Sequence, residues 1–194
     1  MGFNVEVGQS PMRSGRAGEA RIYTGELAVI SGGEVHRADA ETDEFFDGVV
    51  DQIRTGEYIP SFDHEAGNWY FTNDASELDT DNHAPLGTSD SDKEAGHLVP
   101  VGGGDDGNII RARTIDDTTA AAPDIGDGDV VGFVDTSAAD APDSPGRLVQ
   151  EGYENDGYGT ADGFVAIGTA YRPSSDGDVT DHDALVRVRV NKGV

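Results

Sequence analysis

"RIYTGELAVISGGEVHRADAETDEFFDGVV" (residues 21–50) places three short apolar runs between two turn signals. Gly25-Glu26 leads into Leu27-Ala28-Val29-Ile30, and Ser31-Gly32-Gly33 then offers a tight turn. Glu34 to Ala40 resumes an extended pattern, Glu41 to Glu44 forms an acidic turn, and Phe45-Phe46-Asp47-Gly48-Val49-Val50 closes the stretch. Short runs rich in β-branched and aromatic residues, punctuated by Gly and Asp, predict strands joined by hairpin turns. The same grammar recurs in "IIRARTI" (109–115), "DVVGFVD" (129–135), "GRLVQEG" (146–152), "GFVAIGTAYR" (163–172) and "ALVRVRV" (184–190). In the last, Val186, Val188 and Val190 alternate with Arg187 and Arg189, so the valines are expected in the core and the arginines outside. Glycines and acidic turns interrupt every window long enough for a helix. The chain is expected to be mainly β.

The opening stretch has an echo. Gly25-Glu26-Leu27-Ala28-Val29 matches Gly128-Asp129-Val130-Val131-Gly132, and Gly33-Glu34-Val35 matches Gly146-Arg147-Leu148-Val149. Gly48-Val49-Val50 is set against Gly163-Phe164-Val165-Ala166. Two copies of one small β-unit predict a barrel or sandwich with pseudo-repeated halves. Two segments stand outside that scheme. Residues 1–20 join the alternating Phe3, Val5 and Val7 to a Gly/Ser/Arg stretch with Arg13 and Arg16, and read as an extended arm that seeks a partner surface. On this reading residues 21–194 form the β domain, and deleting residues 2–18 would leave it folded. Residues 55–108 carry the only Trp and a long unpatterned polar tract, and read as a loop-rich insertion. Within it "FDHEAGNWYF" (62–71) predicts a hairpin, with Trp69, Tyr70 and Phe71 as a contact surface.

Charge bounds the function. The 194 residues hold 38 Asp and Glu against 13 Lys and Arg, a net charge of −25, and Lys93 and Lys192 are the only lysines. Such a chain repels itself in dilute solution, but in roughly molar salt the Debye length is about 3 Å and the repulsion is screened. The composition therefore predicts a protein adapted to high salt. It makes nucleic acid a poor partner, since binding phosphates relies on Lys and Arg displacing counterions. Absence of cysteine excludes disulfides, thiolate-ligated zinc and thiol catalysis. No apolar run approaches the ~18 residues of a membrane span, and residues 1–20 show no signal-peptide core.

Chemistry-bearing motifs are few. There is no G-x-S-x-G elbow, S-x-x-K, Walker A or H-E-x-x-H sequence. Asp63-His64-Glu65 and Asp181-His182-Asp183 each put two carboxylates on one side of an extended segment, which suits a cation, calcium before zinc. Asp79, Asp81 and His83 are spaced like the start of a calcium loop, but the sixth and twelfth positions, Ala84 and Asp90, are not the Gly and Glu it needs. In so acidic a chain these clusters read first as solvated turns. No enzyme is expected, and any cation would be structural. Two rival readings are a halophilic surface or secreted module binding carbohydrate or calcium through Trp69, and a hydrolase centred on Asp63, His64 and Glu65.

The Gly-acid strand at 25–30, its turn and the "GVV" run, followed by "GDGDVVGFVDT", "PGRLVQEGY", "GFVAIGTAYR" and the closing "ALVRVRV", resemble capsid decoration or capsid-stabilising proteins of tailed double-stranded DNA viruses. The resemblance spans residues 20–54 and 109–194. With the acidic composition it implies a virion protein of a tailed virus infecting haloarchaea, made in the host cytoplasm and carried on the capsid surface. Its implied partners are the major capsid protein and further copies of itself, a trimer favoured, with no membrane or nucleic-acid contact. The family supplies no catalytic residues, so the candidate interface is Phe3, Val5, Val7, Arg13, Arg16, Trp69, Tyr70 and Phe71.

Overall fold

A computed structural model describes residues 5–7, 12–40, 43, 45–51, 60–78, 96–137, 144–153, 163–173 and 177–193, and the structural statements below concern these residues alone. Strands β1 (Val5–Val7), β2 (Arg13–Ala17), β3 (Ile22–Tyr23), β4 (Leu27–Ser31), β5 (Glu34–Arg37) and β6 (Gly48–Val50) come first. Next are β7 (Ser61–Asp63), β8 (Asn68–Phe71), the single-turn helix α1 (Ala75–Leu78) and β9 (Leu98–Gly103). The chain ends with β10 (Ile109–Arg113), β11 (Val130–Val134), β12 (Val149–Gln150), β13 (Phe164–Ala170) and β14 (Leu185–Val190). The expectation of a mainly β fold is met. Strands β2-β5-β4-β6-β9 close into a barrel, and β10-β14-β13-β11-β12 follow one another in a second sheet whose free side of β10 is joined by β1.

The second sheet is the first barrel written again. In the first, β2 runs parallel to β5 with Ala17 opposite Val35. In the second, a parallel bridge pairs Thr114 with Leu148 and brings the ends of β10 and β12 together. The remaining pairings match residue by residue. Ala28 sits opposite Arg37 and Gly48, as Val131 sits opposite Gln150 and Gly168. Val50 faces Val101, which faces Arg13, as Ala170 faces Val188, which faces Ile110.

The turns repeat too. Gly25 and Gly128 both adopt φ +92°, the left-handed region that favours glycine. Gly25 N–H donates to Val50 O at 2.8 Å and Gly128 N–H to Ala170 O at 2.9 Å. The next residue's carboxylate accepts from the backbone three positions earlier, Glu26 from Tyr23 at 2.7 Å and Asp129 from Gly126 at 2.7 Å. The "Gly-acid" pair seen in the sequence is thus one turn used twice. The proposed match of Gly48 to Gly163 is corrected by this register: its counterpart is Gly168. Both glycines are required by close approach, since an added Cβ would lie 2.3 Å from Gly102 O at Gly48 and 2.1 Å from Arg189 O at Gly168.

Two other boundaries change. Residues 13–17, expected in a free arm, are a barrel strand between β5 and β9. Residues 98–103, expected inside the insertion, are the strand equivalent to "LVRVRV" and pair with both β2 and β6. The inserted material therefore lies between β6 and β9. It supplies the expected hairpin, β7 and β8, which pairs with β3 as a three-stranded sheet.

Packing explains why some strands alternate and others do not. Leu27, Val29 and Val49 join one apolar cluster with the interior of the second barrel, including Ile110, Phe133, Val186 and Val188. Ala28, Val35, Val50, Val99 and Val101 fill the first barrel with Ile22 and Phe71. Strands β4 and β6 form the shared wall and are buried on both faces, hence the unbroken run "LAVI". β14 has one outer face, hence its valine–arginine alternation; Val186, Val188 and Val190 are buried, as expected.

Candidate functional site

The junction between the two barrels carries the densest polar contacts. Arg147, in the turn before β12, lies with its side chain buried and reaches Glu26 at 3.0 Å, Asp116 at 3.0 Å and Asp183. Glu26 belongs to the first barrel and the other three residues to the second. Backbone bonds run alongside: Leu27 N–H donates to Gly146 O at 2.7 Å, and Arg113 N–H to Gly25 O at 2.9 Å. Arg113 also pairs with Asp183 at 2.9 Å. Burial pushes the Glu26 carboxyl up to about 7, against the pull of Arg147 and Arg37 and the bond from Tyr23. Burial works against the Arg147 charge as well, but the Glu26, Asp116 and Asp183 carboxylates outweigh it and hold its pKa above the ordinary value. The node clamps the barrels together: Arg147, paired with Asp116 and Asp183 inside the second barrel, also pairs with the buried Glu26 of the first.

Of the sequence-predicted cation ligands, Asp63 and Asp183 are engaged by arginines. Asp63 accepts from the Arg21 guanidinium at 2.7 Å, the Tyr23 hydroxyl at 2.9 Å and the amides of Glu65 and Ala66 at 2.9 and 3.1 Å. Those amide and hydroxyl donors, Ala66 first, hold its pKa below the usual carboxylate value. Glu65 is exposed on the hairpin turn. Asp183 belongs to the Arg147 node, and Asp181 is exposed, contributing its carbonyl to the Thr114 hydroxyl at 2.9 Å. Among the described residues no three His, Asp or Glu side chains gather as a metal site; Asp79, Asp81 and His83 lie outside them.

The expected interface residues divide. Phe3 lies outside the described residues. Val5 and Val7 extend along β10 as an added strand, opposite Ile110 and Ile109. Arg13 pairs with Asp47 at 2.8 Å and Arg16 donates to Gly96 O at 2.9 Å, so both are tied to the first barrel and not to a free arm. Phe71 is fully buried in that barrel's core, a correction to its reading as a contact residue: β8 turns it inward to plug the barrel with Ile22. Tyr70 is buried beneath Arg21, whose guanidinium lies 4.7 Å from the ring centre. Trp69 is half-buried and packs on Phe62 with ring centres 4.7 Å apart. The aromatic cluster is chiefly a lid on the first barrel.

A group that the sequence reading passed over lies on the outer face of β10 and β14. Arg111 and Arg187 stand directly opposite one another in register. With Arg172 and Leu185 they line a cleft of about 600 Å³, also bordered by Asp127 and Asp178. The Arg189 guanidinium stacks 4.5 Å from the Tyr171 ring centre and that of Arg172 lies 5.6 Å from it. Only the alternation of "VRVRV" signalled any of this, and it could not show that Arg111 would be its neighbour. Comparison with protein-family models, curated proteins and solved structures returns no match.

Proposed function

We propose that this chain is a structural virion protein that binds the outside of a tailed-virus capsid shell and stabilises or decorates it at high salt. The observation that carries this reading is the duplicated barrel. Two copies of one small barrel share a wall whose outer residues Leu27, Val29 and Val49 pack into the second barrel's core, and they meet at a buried charge node, which supports a rigid body with paired edges and two related outer surfaces. A shell-binding protein needs rigidity and surface area. The acidic composition supports a virus of haloarchaea, since such a protein stays soluble where salt screens its charge. On this reading the partners are the major capsid protein and further copies of the chain, a trimer favoured, with no nucleic acid or membrane contact. Assembly takes place in the host cytoplasm. The added strand β1 supports self-association: β10 accepts a strand from the chain's own N-terminal region, and a neighbour's could take the same place.

Reconstitution tests the proposal. Purified chain mixed in molar salt with capsid shells that lack it should co-sediment with them and saturate. Chain that stays at the top of the gradient at every concentration would overturn the reading.

A further inference from the structure

We propose that the edge of β2 at residues 12–14 is an acceptor for an extended segment of a different protein, which adds there as an antiparallel strand. As the contact to a capsid shell it rests on the function proposed above; as a strand-accepting edge it stands on its own geometry. The edge is open at the level of the backbone. Ser14 lies opposite Pro100 of β9, and a proline has no N–H to exchange, so Ser14 turns its own N–H and carbonyl away from β9. On that other side β5 reaches β2 only from Arg16 onward. Arg16 N–H donates to Gly33 O at 3.0 Å, and Arg16 and Ala17 stand opposite Glu34 and Val35. Among the described residues neither backbone group of Ser14 has a partner, and Met12, Arg13 and Ser14 are all exposed.

The second barrel shows what such an edge takes. Its β10 corresponds to β2, with Ile110 in the place of Arg13 and Arg111 in the place of Ser14. There the edge is shared between two partners. Leu148 bridges to Thr114, and β1 covers the earlier part, with Val5 and Val7 opposite Ile110 and Ile109. A three-residue antiparallel strand thus fills this position in one copy, and among the described residues the equivalent position in the other carries none. The approach is clear too. The turn beside the edge holds Gly32 and Gly33, and a Cβ built on either would meet nothing within 4 Å. β2 also pairs with β9 without a bulge of the kind that twists an edge away from pairing.

Counting donors decides the occupant. Each chain brings one added strand, β1, and one β10 edge to receive it. Whether β1 stays on its own β10 or trades places with a neighbour's, copies of this chain balance donors against β10 edges one for one. The β2 edge is left over, for a different protein. Main-chain bonds give such a contact its affinity, and the side chains beside them choose the partner. Cross-strand pairing calls for an apolar residue against Met12, 37% exposed, and an acidic one against Arg13. Arg13 pairs with Asp47 at 2.8 Å but keeps its side chain 58% exposed, so a second carboxylate has access to it. The chain's own donor strand, Val5-Glu6-Val7, has this apolar and acidic composition.

The test uses the full chain in molar potassium chloride, with amide hydrogen exchange read by nuclear magnetic resonance. The added strand is the peptide GFNVEVG, a copy of residues 2–8. In the free chain the Ser14 amide should exchange about a hundredfold faster than that of Ala17, which donates to His97 O at 2.8 Å. Peptide should slow Ser14 by about tenfold or more. Ser14→Pro removes the N–H at a place where edge strands tolerate proline, so it should melt as wild type does. It should bind a fluorescent form of the peptide about tenfold more weakly, because the partner carbonyl is left unpaired. The exchange measurement needs no variant. A Ser14 amide as slow as that of Ala17 in dilute free chain would overturn the open edge. So would no protection of Ser14 by about 10 mM peptide, the weak limit of specific recognition, or protection confined to Ile109 and Arg111. Protection of Ser14 that grows with chain concentration alone would make the occupant a second copy and overturn its assignment to a different protein. Peptide binding without shell binding by wild type would defeat the capsid reading alone. Equal shell binding by wild type and Ser14→Pro would defeat this edge as the shell contact.

Discussion

Replacing Arg147 by methionine keeps most of the side-chain volume and removes the positive charge at the barrel junction. Glu26, 1% exposed, would keep its bond from the Tyr23 amide at 2.7 Å and the weaker pull of Arg37. Breaking a buried pair by removing one partner typically costs about 3–5 kcal/mol, because the remaining charge is left without compensation. That is a large part of the ~5–15 kcal/mol that holds a typical domain folded. The pH dependence gives a second signature. Glu26 has a folded-state pKa of about 7, above its ordinary 4.5. Between those values the folded chain binds more protons than the unfolded one, so this group's contribution to stability falls as pH rises from about 4.5 through about 7. Without Arg147 the pKa rises further and the fall extends to higher pH, so Arg147→Met should hurt least at pH 5 and most above pH 8. Adding Glu26→Gln should recover roughly half of the ~3–5 kcal/mol loss, since the buried charge is then gone. Urea unfolding at constant molar salt and at several pH values measures all of this. A loss below about 1 kcal/mol, the level of an exposed ion pair, or one that is flat with pH, would refute the clamp.

Three further outcomes follow from the fold. Thermal midpoints should fall as salt is lowered from molar to about 0.1 M, where the Debye length reaches about 10 Å and repulsion among −25 charges extends; a flat midpoint by calorimetry would contradict the salt argument. Deleting residues 2–18 should unfold the first barrel, because β2 is lost; retained native near-ultraviolet circular dichroism would contradict its place between β5 and β9. Gly48→Ala and Gly168→Ala should each cost about 1–3 kcal/mol by forcing backbone apart, and a strong asymmetry between them in urea unfolding would weaken the equivalence of the two copies.

Much of this architecture is legible in the chain. The alternation of "ALVRVRV", the Gly-acid turns and the aromatic hairpin all lie where periodicity and turn chemistry put them. What was hidden has physical causes. Strand β2 reads "RSGRA" because the turn leading into β5 approaches so closely that a Cβ at Gly15 would sit 2.7 Å from Gly33 O, leaving no room for the apolar side chain that marks a strand. Strand β9 reads "LVPVGG", and Pro100 with its following glycines looks like a loop; its carbonyl nevertheless accepts from Asp51 N–H at 3.0 Å, as Arg187 O does from Tyr171 N–H at 2.9 Å. Without those two strands the barrels cannot be counted from local patterns. Glu26 and Arg147 were hidden differently: among 38 acidic residues one buried carboxylate looks like any solvated one, and burial is decided by tertiary packing. The arginine face depends on register between strands far apart in sequence, which no local pattern carries.

The central claim, that this chain is a component of a virion shell, is tested most directly by quantitative mass spectrometry of gradient-purified particles washed in molar salt. The account predicts this chain at a fixed ratio to the major shell protein across independent preparations. Its absence from the particles, or a trace amount that the wash removes, would contradict the account.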